Sequence, residues 1–99
     1  MKIRNIKVFS SNYTFRGYVE INNDIYDLEG EFTITGATSE EPEAIIDYVE
    51  YFDGDNSFAL TEKDIDYSEL AELIVAKGDP NVWEQDARSK EFDNDGFVW

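Results

Sequence analysis

The sequence predicts an α+β fold, an antiparallel sheet of three or four strands packed by one or two C-terminal helices. Three observations carry this. Between residues 13 and 35 apolar residues recur with period two, the period of a half-buried strand. After Thr61 the period lengthens to that of a helix, marked by Ile65, Leu70, Leu73 and Ile74. The chain has 99 residues, enough for one core and too few for two, so residues 1–99 read as a single domain.

Taken in order, Ile3, Ile6, Val8 and Phe9 open the chain with a β-branched segment that favours a short strand. Ser10, Ser11 and Asn12 follow as a turn. In residues 13–21, Tyr13, Phe15, Val19 and Ile21 share one face, and Thr14, Arg16, Tyr18 and Glu20 the other. Asn22, Asn23 and Asp24 tolerate positive φ and suit a hairpin. The return strand, residues 25–35, packs Tyr26, Leu28, Phe32 and Ile34 and turns Asp27, Glu29, Glu31, Thr33 and Thr35 outward. Gly17 and Gly30 fall on the inward face, where glycine marks a bulge, a bend or close packing.

Residues 44–52 fit two periods. A helix would align Ile45, Tyr48, Val49 and Phe52, use Thr38 and Glu41 as a capping box, and leave Glu43, Asp47 and Glu50 in solvent. The strand is preferred, because β-branched and aromatic residues lose rotamer freedom in helices and the run ends at the turn signal Asp53, Gly54, Asp55 and Asn56. A regular strand carries a consequence: Asp47 and Glu50 would point to opposite faces and could not share one surface. Residues 58–60 add a short extended piece. A helix over residues 66–77 is capped by Asp66, with Glu69 three residues on, and ends at Gly78. Asp79 before Pro80 starts a second short helix with Val82, Trp83 and Ala87, and residues 91–99 form an acidic, aromatic tail.

Charge is distributed unevenly. Eight Lys and Arg against 23 Asp and Glu leave a formal charge of −15. Residues 1–16 hold Lys2, Arg4, Lys7 and Arg16 and no acid, whereas residues 17–62 hold thirteen acids and no base. A composition that is 41% hydrophobic and 15% aromatic still supplies a core, so the acidity does not imply disorder. With no cysteine there is neither a disulfide nor a thiolate metal site. The lack of histidine removes the usual general base and the commonest zinc ligand, which argues against an enzyme. No catalytic, cofactor or metal site is assigned.

Asp53, Asp55, Ser57 and Asp64 have the spacing of a calcium loop. Phe58, however, stands where that loop needs glycine and Asp64 replaces its bidentate Glu, so a turn is the better reading. Asp93, Asn94, Asp95 and Gly96 form a shorter fragment of the same kind. The N-terminus mixes basic and apolar residues without a continuous apolar run, and nothing approaches a membrane span. A soluble cytoplasmic protein is expected.

The acidic strand face is the most informative feature. Residues two apart on a strand lie about 6.8 Å from each other, and duplex DNA presents a phosphate about every 3.4 Å of axis on each strand. One carboxylate therefore meets roughly every second phosphate position. Self-repulsion of this size destabilises the compact state, which suggests a use for the field: filling the basic groove of a nucleic-acid-binding protein. The contact surface assigned on this basis is Asp27, Glu29, Glu31, Glu40, Glu41, Glu43, Asp47 and Glu50. Direct nucleic-acid binding is disfavoured by the same charge.

With strands first, an acidic middle and a helical C-terminal part, the chain resembles small acidic phage-encoded anti-defence proteins of the DNA-mimic kind. The resemblance is one of size, charge and layout. It implies an inhibitor of restriction, CRISPR or other nucleic-acid enzymes, acting in the host cytoplasm on a basic host partner. The alternative is a phage structural or assembly component that makes its contacts through Trp83, Phe92, Phe97 and Trp99, although core packing is the commoner fate of such residues.

Overall fold

A computed structural model of the chain describes residues 1–38 and 41–97, with side chains in the last helix described through residue 89. Its five strands, β1 (Lys2–Phe9), β2 (Thr14–Ile21), β3 (Asp24–Thr35), β4 (Glu43–Asp53) and β5 (Asn56–Leu60), lie side by side in chain order. Every neighbouring pair is antiparallel. The α+β class is as expected, but the sheet has five strands rather than three or four. The miscount has a physical cause: in β5 only Leu60 is buried, so this edge strand is held by its ladder with β4 and shows no alternation of its own.

The turns follow local chemistry. Between β2 and β3, Asn22 and Asn23 take φ of 51° and 71°, the two left-handed positions of a two-residue hairpin turn. Asp53 and Asn56 close the β4–β5 hairpin around Gly54, at φ 64°. Tyr13, at φ 57°, leads the chain from the first turn into β2.

One side of the sheet carries the core. Ile6, Phe15, Val19, Leu28, Phe32, Val49 and Leu60 meet Ile65 and three helical residues, Leu70, Ile74 and Trp83. Gly30 sits on this side because a Cβ there would collide with the Phe15 ring and lie 2.5 Å from the Tyr48 carbonyl oxygen. Rings of Tyr26, Tyr51 and Phe58 continue the packing toward the β5 edge, with centroids 5.4 and 5.2 Å apart.

Helix α1 (Tyr67–Lys77) begins at Asp66, whose carboxylate accepts from the N–H groups of Ser68 and Glu69. It stops at Gly78, whose N–H donates to the Ile74 carbonyl oxygen at 2.8 Å. Helix α2 (Pro80–Phe97) is docked by Trp83, fully buried, edge-on to Phe32, with its indole N–H on the Ser10 carbonyl oxygen at 3.1 Å. At 18 residues α2 is longer than the short helix expected. Its apolar period fades after Ala87, so good helix formers such as Glu84, Gln85 and Arg88 continue it by propensity and by the i,i+4 pair Glu84–Arg88 at 2.8 Å. Among the described residues no helix is long and apolar enough to cross a membrane.

Candidate functional site

Strand alternation sends half of the sheet's side chains to the core and half to a second face, and the core residues of both helices pack on the first. Among the described residues nothing covers the second face. Register arranges it in rows across β1 to β4: Arg4, Tyr18, Asp27 and Phe52; then Lys7, Arg16, Glu29 and Glu50; then Phe9, Thr14, Glu31 and Tyr48. With Lys2 beside Glu20 at the edge of these rows, the face is basic on β1, balanced on β2 by Arg16 and Glu20, and acidic on β3 and β4.

Two irregularities decide which side chains reach it. In β1 the register shifts between Arg4 and Lys7, and Asn5 takes φ 52°, so both cations face outward although they are three residues apart. In β4, Tyr48 pairs with Glu31 and Ile46 with Phe32, which leaves Asp47 as an extra residue, a bulge. The Asp47 carboxylate turns to the open face and accepts from Thr33 Oγ1 at 2.8 Å. The segment is thus a strand, as preferred, but the expected separation of Asp47 from Glu50 is overturned, because the bulge shifts the alternation by one residue.

Six of the eight assigned acids now share one surface: Asp27, Glu29 and Glu31 from β3, and Glu43, Asp47 and Glu50 from β4. Glu41 is exposed just before β4. Glu40 lies outside the described residues. The cations of the face compensate only part of this charge: Arg16 Nε lies 3.0 Å from Glu29, and Arg4 Nη2 lies 3.2 Å from Glu20. Asp27, Glu31 and Glu50 have no ion pair among the described residues. Glu29 and Glu50 stand directly opposite each other, an arrangement that destabilises a sheet.

Aromatic rings interrupt the acids, and the sequence reading missed their role. Tyr48 is 44% exposed and Tyr18 42%. Partial desolvation, followed by the carboxylates of Glu31, Glu50 and Glu29, raises the Tyr48 phenol above its ordinary pKa near 10. Alternation had already placed Tyr18 outward beside Arg16 and Glu20, so that ring was open to assignment. Tyr48 and Phe52 were not, because their direction depends on the bulge. A depression of about 530 Å³ on this face is lined by Lys7, Arg16, Tyr18, Asp27, Glu29 and Phe52 among others.

The aromatic surface considered for the C-terminal part loses one member, since Trp83 is in the core. Trp99 and the side chains of Phe92 and Phe97 lie outside the described residues. Among the described residues no group of three or more carboxylates is placed to hold a metal ion. Asp64, at calcium-like spacing but read as part of a turn, accepts from the Thr61 N–H and hydroxyl at 2.8 and 3.1 Å. Comparison of the chain with protein-family models, curated proteins and solved structures finds no match.

Proposed function

We propose that this chain is a non-enzymatic inhibitor that fills the basic groove of a nucleic-acid-binding protein with the carboxylates of β3 and β4. It acts there as a nucleic-acid mimic, in the manner of anti-restriction or anti-CRISPR proteins. The supporting observation is the gathering of Asp27, Glu29, Glu31, Glu43, Asp47 and Glu50 on one uncovered sheet face, with Glu29 opposed to Glu50. A face that needed only to be wet would not require like charges in register on its central strands. A groove of Lys and Arg relieves that repulsion and, in exchange, loses the counterions or phosphates it otherwise holds.

The test is capture of a partner from lysate at low salt, followed by challenge of the complex with salt and with duplex DNA. Both should release the partner. The triple variant Asp27→Lys, Glu31→Lys, Glu50→Lys should fold, since these side chains bury no core surface, and should lose the partner. Binding that ignores salt, duplex DNA or the triple variant would refute the mimic.

A further inference from the structure

Rings and carboxylates alternate on the open face in both directions of the sheet. Along β4 the outward order is Tyr48, Glu50, Phe52, and across the β3–β4 pair Tyr48 faces Glu31 while Phe52 faces Asp27. Directly opposed side chains have Cβ atoms about 5 Å apart. Each ring therefore has a carboxylate at its border. Phosphate mimicry calls for acids alone; it does not account for Tyr48, left 44% exposed between Glu31 and Glu50.

A planar guanidinium suits both parts of this surface. It stacks on the ring while its N–H fork reaches the neighbouring carboxylate. The ammonium of lysine, compact and strongly hydrated, is met by the carboxylate and gains less from the ring. A second copy of the chain is a poorer occupant, because its Arg4 and Arg16 are already engaged by Glu20 and Glu29 and its face brings six more acids.

Resting on the reading of this face as the protein-binding surface, we infer that Tyr48, bordered by Glu31 and Glu50, is a guanidinium receptor, so that the partner presents arginine rather than lysine at the centre of the contact. Phe52 and Asp27 repeat the arrangement one row away. Lys7 and Arg16 line the depression there, which makes Tyr48 the stronger of the two.

Two synthetic peptides matched in length and charge, one alternating Arg with Gly and one alternating Lys with Gly, test this by NMR titration of the full chain at low salt. The arginine peptide should bind about two- to fivefold more tightly, with the largest amide shifts around Glu31, Tyr48 and Glu50. In Tyr48→Thr the preference should vanish, and in Tyr48→Phe it should survive. Equal affinity of the two peptides for the wild-type chain overturns the receptor, as does binding of neither or shifts centred elsewhere. The comparison is made on the wild-type chain, so it does not depend on either variant folding. It is also separable from the proposed function: a captured partner that duplex DNA fails to displace sinks the mimic and leaves an arginine preference intact.

Discussion

Tyr13 joins two parts of the chain that no local pattern connects. From a left-handed backbone position, uncommon for a bulky residue, it donates its hydroxyl to the Asp86 carboxylate on α2 at 2.6 Å. Burial, then the hydrogen bond and charge of Asp86, push its pKa up to about 12 from an ordinary value of 10.0. The folded state therefore holds the phenolic proton more tightly than the unfolded chain does. This contribution is complete below pH 10, declines from there and is gone above about pH 12. Denaturation from neutral pH to above about pH 12 should show Tyr13→Phe less stable by about 1 kcal/mol at neutral pH, with a shallower loss of stability as pH rises through 10 to 12. A slope equal to that of the wild type would exclude the Tyr13–Asp86 bond as its source. Contacts within a few residues, such as Asp66 on the first turn of α1 or Asn22 and Asn23 at their hairpin, were legible in the sequence because their geometry is local. Tyr13 and Asp86 stand 73 residues apart, and nothing in either neighbourhood announces the other.

Among the elements, β4 shows where sequence reasoning reaches and where it stops. Its β-branched and aromatic content identified it as a strand against a helical period that fitted almost as well. The face of Asp47 was not available from the same residues, since the bulge is fixed by how β4 pairs with β3. The opposition of Glu29 and Glu50 leads to a prediction at this scale. Glu50→Gln should raise stability by about 0.5 kcal/mol in chemical denaturation, while partner binding weakens. An unchanged or lowered stability would mean that the Arg16–Glu29 contact already absorbs the repulsion. Strand β5 and the far part of α2 were hard to read for a related reason: in β5 only Leu60 is buried, and after Ala87 the sequence of α2 has few apolar residues, so the period that marks an element is faint in both.

For the molecule as a whole, a charge of −15 acts on folding and on binding with opposite signs. Salt shortens the screening length from about 30 Å at 0.01 M to about 3 Å at 1 M. Self-repulsion within the chain is weakened by this, and so is attraction to a basic partner. The thermal midpoint should therefore climb with sodium chloride over that range while the captured complex dissociates. A midpoint that falls with salt would indicate that the ion pairs outweigh the repulsion. The charge was plain in the sequence from the first count. Its division across one sheet face, basic on β1, balanced on β2 and acidic on β3 and β4, required the register.

The bulge at Asp47 works on β4 as a frameshift works on a message. Before it odd-numbered residues such as Glu43 and Ile45 face the open side, and after it even-numbered Tyr48, Glu50 and Phe52 do. Deleting that one residue would bring the strand back into a single frame without changing any other pairing. Carboxylates added to this sheet by design, or gained and lost by drift, have to be counted outward from that position, because the same substitution lands in water on one side of it and in the core on the other.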